Sequence, residues 1–193
     1  GGNCVVLKPS ELAPATAGVV ERMMNAIYPD HYIKVVQGNG AEIVPDMMGR
    51  FRFDHVFYTG SIPVGKAIYQ LAAKDLVPVT LELGGKSPAI IENDADIVSS
   101  ARRVALGKFI NAGQTCIAPD YLLVHADIAE KFITALKDTI ILFWGEDAKG
   151  SSDYGKIINE KHFNRLLKYL NDGELLMGGQ TDASGLFIAP TIL

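Results

Sequence analysis

The chain has 193 residues, of which 48% are hydrophobic and 21% charged, with a formal net charge of −4 at pH 7. That balance is too apolar for disorder, is long enough for a sizeable core in one large domain or parts of two, and argues against a general nucleic-acid-backbone binder. The two cysteines, Cys4 and Cys116, stand far apart without metal-ligand spacing, which fits a reducing compartment better than a disulfide scaffold.

Cys4-Val-Val-Leu7 is a short apolar run of the kind that makes a buried parallel strand, with Cys4 as a small buried hydrophobe. It ends in Lys8-Pro-Ser-Glu11. The next helix starts near Pro14 and carries Val19, Val20, Met23, Met24 and Ile27 at helical spacing until Pro29 stops it. A second strand covers 33–36 and closes in Gly38-Asn-Gly40, and a short helix follows over 41–48 in spite of Pro45. The third strand, 55–59, runs into Gly60-Ser-Ile-Pro-Val-Gly65. Its helix places Val64, Ala67, Ile68, Leu71 and Ala72 on one face, with Pro63 in the first turn, where no N–H partner is needed. The fourth strand spans 77–83.

After Gly84-Gly85 the alternation restarts. A strand over 87–91 leads to a helix that Asn93 or Asp94 can cap, with Ile97, Val98, Ala101, Val104, Ala105 and Phe109 inward. The stretch Asn111-Ala-Gly-Gln-Thr-Cys-Ile-Ala-Pro119 ends that helix, and Tyr121 to Val124 is a further strand. Asp127 opens a helix with Ile128, Phe132, Leu136, Ile140 and Phe143 at core positions, and Asn159 caps a last one carrying Phe163, Leu166, Leu167 and Leu170. Strand–helix alternation on this scale predicts an α/β protein made of parts of two open, mainly parallel sheets, divided into 1–84 and 85–193.

Several groups fall where open α/β sheets bind ligands, just beyond the ends of parallel strands. Lys8 and Glu11 can bond the hydroxyls of a nucleotide ribose, although their spacing by itself better fits a solvated loop pair. The turn from Gly60 through Ser61 to Gly65 opens a helix whose free N–H groups and dipole attract a pyrophosphate, or it serves only to turn the chain. In Val79-Thr-Leu-Glu-Leu83 the apolar residues alternate, so Thr80 and Glu82 share the other face, with Glu82 at the strand's carboxyl end. A carboxylate there can act as a general base or simply face solvent. Cys116 follows a helix C-terminus, whose dipole opposes a thiolate, so a nucleophilic role needs a positive charge nearby. His162, in the first turn of its helix, can face a cofactor or water. No metal site is expected among the four histidines.

Taken together, Lys8-Pro-Ser-Glu11, Tyr58-Thr-Gly-Ser61 with Gly65, Leu81-Glu-Leu-Gly-Gly85 and Asn111-Ala-Gly-Gln-Thr-Cys116 resemble the NAD(P)-dependent aldehyde dehydrogenases. The continuation through Ile117-Ala-Pro-Asp-Tyr121, with Lys161-His-Phe163, is most similar to the class 3 branch, which includes fatty aldehyde dehydrogenases. The resemblance runs along essentially the whole chain. It implies a Rossmann-like cofactor half and a thiol-bearing catalytic half. It also implies NAD or NADP as cofactor, an aldehyde substrate, and a homodimer or larger homo-oligomer; Glu11, which would repel a 2′-phosphate, slightly favours NAD.

By the same resemblance Cys116 is the nucleophile and Glu82 the general base. Lys8 and Glu11 hold the adenosine ribose, and Gly60, Ser61 and Gly65 face the pyrophosphate. Leu83 and His162 also border the cofactor. An acylating semialdehyde or acyl-phosphate reductase, an inactive nucleotide-binding relative and a cofactor-independent thiol hydrolase are the alternatives. Glu82 disfavours the first, the intact Cys116 and Glu82 disfavour the second, and the lack of a recognisable histidine partner disfavours the third.

No apolar run reaches the roughly 18 to 20 residues that cross a bilayer, no signal peptide is visible, and a cytoplasmic location is expected. The sequence starts without Met and stops mid-pattern at Pro190-Thr-Ile-Leu193, so an internal fragment of a longer chain is expected. The family's asparagine that stabilises the oxyanion and its glutamate for the nicotinamide ribose are not among these residues. The fragment alone is therefore expected to be inactive, with robust aldehyde-dependent NADH production as the contrary result.

Overall fold

The computed structural model describes residues 2–193, which separate into two compact units that divide between Leu83 and Gly84. In the first unit the order is β1 (Val5–Leu7), α1 (Pro14–Ile27), β2 (Ile33–Val35), α2 (Gly40–Arg50), β3 (Val56–Gly60), α3 (Ile62–Ala73) and β4 (Val79–Leu83). β1 pairs with β2 in parallel, Val6 opposite Lys34, and β3 pairs with β4 in parallel, Thr59 opposite Glu82. Each pair is thus joined by a crossover helix, as parallel pairing requires. The strands hydrogen-bond as separate two-stranded pairs rather than as one continuous sheet.

Local sequence explains the elements. Pro14 sits in the first turn of α1 and Pro63 in that of α3. α2 is longer than the sequence predicts and contains Pro45. Its start is held by Asn39, whose Oδ1 accepts the Ala41 N–H at 3.0 Å, and its end by an Arg50–Asp46 pair at 2.8 Å. The first strand departs from expectation. All three residues of β1 are exposed and so is Cys4, because β1 is paired along one edge and α1 has only Ala17 buried.

The second unit runs β5 (Ser87–Ile91), α4 (Ile97–Phe109), β6 (Pro119–Val124), α5 (Ala129–Trp144), α6 (Glu160–Leu167) and an antiparallel pair, β7 (Thr181–Asp182) and β8 (Phe187–Ile188). β5 and β6 are parallel, with a register shift at Ser87/Pro88. α4 is capped by Asp96 rather than Asn93 or Asp94. Its Oδ1 accepts the Ser99 N–H at 2.7 Å, and the Ala95-to-Glu92 turn takes up the intervening residues. A 3-10 turn over Ala126–Ile128, capped by the His125 ring, precedes α5, so Asp127 lies ahead of that helix instead of opening it.

The core of this unit lies where α4 crosses α5. Ala101 and Ala105 are fully buried, and their small side chains let Phe132, Leu136 and Ile140 of α5 pack closely. Val98, expected inward, is 55% exposed, and Phe143 is only half-buried, while Trp144 takes the buried position at the helix end. Edge-to-face rings continue from there: Phe109 to Trp144 at 5.7 Å, Trp144 to Tyr154 at 5.9 Å, and Tyr154 to Phe187 at 5.9 Å. The Tyr154 hydroxyl donates to the Ile188 carbonyl at 3.2 Å, and burial pushes its pKa well above the ordinary phenol value.

Truncating Phe132 to Ala is expected to cost the second unit about 3–5 kcal/mol, whereas Val98→Ala stays within about 0.5 kcal/mol. Urea unfolding followed by Trp144 fluorescence measures both, and similar values would contradict the core described.

Candidate active site

In the first unit, Lys8 and Glu11 lie in the crossover that leaves β1. The Lys8 ammonium bonds Glu11 Oε2 at 2.8 Å and the Pro9 carbonyl at 2.7 Å. Both face the N-terminus of α2: a Cβ on Gly40 would stand 3.2 Å from Lys8 Cε and 3.7 Å from Glu11 Oε1. The Lys8 hydrogen bond, with smaller help from the backbone of Glu11 itself and of Gly40, holds the Glu11 carboxyl below its ordinary 4.5. A paired donor and acceptor beside a helix N-terminus suit the hydroxyls of a sugar.

The second crossover places Ser61 at the N-cap of α3, with no side-chain capping bond. Its backbone N–H donates to the Tyr58 hydroxyl at 3.1 Å. That ring folds over Gly60, where a Cβ would come within 2.1 Å of the Tyr58 oxygen, so a side chain at 60 has no room while Tyr58 stays. Gly65 is buried, and a Cβ there would meet Leu83 Cδ2 at 3.1 Å and Leu81 Cδ1 at 3.6 Å, so it lets α3 lie close on the strands. The Leu83 side chain is therefore packed toward α3. The opposite face of the pair carries Phe57, Thr59 and Glu82, all exposed, and the His55 ring lies 3.0 Å from the Thr80 hydroxyl.

In the second unit, α4 gives way to a left-handed turn. Asn111 and Ala112 have φ of 54° and 53°, and Gly113 has φ of 78°. Asparagine and glycine accept this region readily, whereas alanine does so at a cost of roughly 1–2 kcal/mol. The turn reverses the chain toward β6 and presents Cys116 with an exposed side chain. On one side the loop rests on Gly85, whose missing Cβ would lie 3.5 Å from the Cys116 carbonyl.

The Gln114 side chain holds the other side. Its Nε2 donates to the Asn111 carbonyl at 3.0 Å and the Lys156 carbonyl at 2.9 Å, and its Oε1 accepts the Ile158 N–H at 2.9 Å. Nothing in the sequence announces this, since the partners lie 42 and 44 positions later. The one local signal is a long polar side chain between the small Gly113 and Thr115.

Below the loop, Lys108 is half-buried. Desolvation lowers its pKa, and the Asp120 carboxylate, 4.0 Å away, partly opposes that. Asp120 also pairs with Lys86 at 2.8 Å and raises the Lys86 pKa. His162 lies in the first turn of α6. Its backbone N–H is capped by Asn159 Oδ1 at 2.9 Å, and its ring Nδ1 is 3.4 Å from an Arg165 guanidinium nitrogen.

The chain thus offers an exposed thiol on a held loop, an exposed carboxylate at a strand end, and two helix N-termini facing polar side chains. The chain belongs to the aldehyde dehydrogenase family, whose pattern matches residues 1–193. It is 46% identical over 194 residues to 4,4'-diaponeurosporen-aldehyde dehydrogenase of Staphylococcus aureus (strain NCTC 8325 / PS 47), covering 100% of this chain and 42% of that protein. Identity is also 46% over 192 residues to aldehyde dehydrogenase family 3 member A2 of Macaca fascicularis, covering 100% of this chain and 39% of that one. It is 45% over 192 residues to the dimeric NADP-preferring aldehyde dehydrogenase of Rattus norvegicus, covering 100% and 42%. Among solved structures, the substrate-bound state of Staphylococcus aureus AldH superposes with a TM-score of 0.88 at 45% identity, covering 98% of this chain and 42% of that one. The chain spans about two fifths of the length of the curated relatives it matches.

Gly60→Ala is expected to destabilise the first unit by about 1–3 kcal/mol through overpacking against Tyr58. In a Tyr58→Ala background that cost shrinks by about 0.5–3 kcal/mol. Equal costs in a double-mutant cycle of denaturant unfolding would show that the Tyr58 ring is not what excludes the side chain.

Proposed function

We propose that the whole protein oxidises an aldehyde to a carboxylate with NAD or NADP, using Cys116 as nucleophile and Glu82 as general base. The observation that carries this reading is Cys116 itself, an exposed thiol on a loop fixed from two sides, in a chain of this family. Residues 1–84 form part of the cofactor-binding half and residues 85–193 part of the catalytic half.

The residues present fit the cofactor. The Lys8 ammonium and Glu11 carboxylate, set at the α2 N-terminus, match the donor and acceptor needs of an adenosine ribose. The α3 N-terminus, with Gly60 lacking a side chain and the Ser61 hydroxyl making no capping bond, matches a pyrophosphate. Held there, NAD or NADP would supply the two-electron acceptor needed between a Cys116 hemithioacetal and its thioester.

The remaining chemistry belongs to the chain. The Cys116 thiolate adds to the aldehyde carbon and forms a C–S bond. Glu82 later takes a proton from water, whose oxygen attacks the thioester carbonyl. The C–S bond then breaks, the carboxylate leaves, and the thiolate is restored. A soft nucleophile and a separate base are both required because addition and hydrolysis are different steps. Glu11, held ionised by Lys8, repels a 2′-phosphate and tips the preference slightly to NAD, although the rat relative is named NADP-preferring. That relative is also named dimeric, which supports a homo-oligomer. Two unpaired thiols fit a reducing compartment, and a cytoplasmic location is part of the proposal.

In the whole protein, Cys116→Ala is expected to abolish aldehyde-dependent NAD(P)H absorbance while Cys4→Ser retains it. Glu82→Gln is expected to give a burst of about one reduced cofactor per site followed by slow turnover, because the thioester accumulates. Undiminished turnover in Cys116→Ala would remove Cys116 from the mechanism.

A further inference from the structure

We infer that Gln114 is the positioning residue of the nucleophile, its carboxamide splinting the Cys116 loop to the Lys156–Ile158 segment and so fixing where the thiol stands. This rests on the reading of Cys116 as nucleophile. Both amide protons and the oxygen of Gln114 are engaged, at 2.9 to 3.0 Å, two positions before Cys116. The splint is anchored at its far end. Ile157 is buried, its N–H donates to the Leu186 carbonyl at 2.9 Å, and Tyr154 bonds the Ile188 carbonyl at 3.2 Å.

The same segment also touches the strained part of the loop. Gly155 lies against the Asn111–Ala112 peptide, its missing Cβ 3.5 to 3.6 Å from those backbone atoms. A left-handed Ala112 persists only where its surroundings over-determine it, and the Gln114 carboxamide adds a second bond to the Asn111 carbonyl, which the Gln114 backbone N–H also reaches at 3.1 Å.

The chemistry demands an amide of this length. An ionised carboxylate of the same shape would keep an acceptor for the Ile158 N–H but set its other oxygen against both the Asn111 and Lys156 carbonyls. A methionine would offer neither donor nor useful acceptor, and asparagine is one methylene short. Because the thiol must meet its substrate within a few tenths of an ångström, a released loop lowers the chemical step more than cofactor binding.

The test uses the whole protein. In Gln114→Met and Gln114→Asn, kcat for aldehyde oxidation falls about 10- to 100-fold, while the dinucleotide KM stays within about twofold. In Gln114→Glu, turnover relative to wild type recovers as pH falls, because the protonated carboxyl regains one donor. Hydrogen exchange at the Ile158 amide accelerates about tenfold or more in Gln114→Met. Unchanged kcat in Gln114→Met with activity still dependent on Cys116 would overturn this assignment alone, as would unchanged Ile158 protection. Full turnover in Cys116→Ala would overturn both it and the reading it rests on.

Discussion

Parallel pairing is the constraint from which the rest of this structure follows. Two parallel strands cannot be joined by a tight turn, so each of the pairs β1–β2, β3–β4 and β5–β6 is closed by a crossover containing a helix. Every crossover creates two junctions, strand to helix and helix to strand, where backbone groups are unpaired and side chains are free of the ladder. Lys8, Glu11, Gly60 and Ser61 all occupy the first kind of junction. Cys116 occupies the second kind, on the way from α4 back to β6.

The two kinds of junction are stabilised differently. Where a strand enters a helix, the helix dipole and its free amides favour negative charge, and single residues suffice. Glu11 is held by Lys8 beside the α2 N-terminus, and the Tyr58 hydroxyl takes the Ser61 amide. Where a helix returns to a strand, the dipole has the opposite sign and the chain must reverse. Here that takes three left-handed residues, a glycine among them, and a side-chain amide bonded to a distant segment. The thiol-bearing loop is therefore tied to the core through Tyr154, Ile157 and the α4–α5 packing beneath it.

Much of the fold was legible because its signals are local. The helical spacing of Val104, Ala105 and Phe109, the prolines at helix starts and the glycines after strands each act within a few residues. Where expectation and structure part, the deciding contact is less local. Asp96 caps α4 because a turn at Glu92–Ala95 takes up Asn93 and Asp94, and Val98 is exposed because α5 covers only the narrow face through Ala101 and Ala105. Cys4 read as a core thiol from its apolar neighbours, yet apolar neighbours do not bury a strand that is paired along one edge.

The sequence alone determined the α/β alternation, the family, and which thiol and carboxylate to weigh, since motifs of contiguous residues carry that information. Glu82 and Cys116 could be singled out because a strand's alternation and a loop's composition are written in the residues themselves. Only the tertiary structure decided how the cysteine loop is held. The Gln114 amide finds its partners at Lys156 and Ile158, and no periodicity links positions more than forty residues apart. Hydrogen bonds of that span depend on where α4, α5 and the segment after them come to rest, which packing settles and local sequence does not.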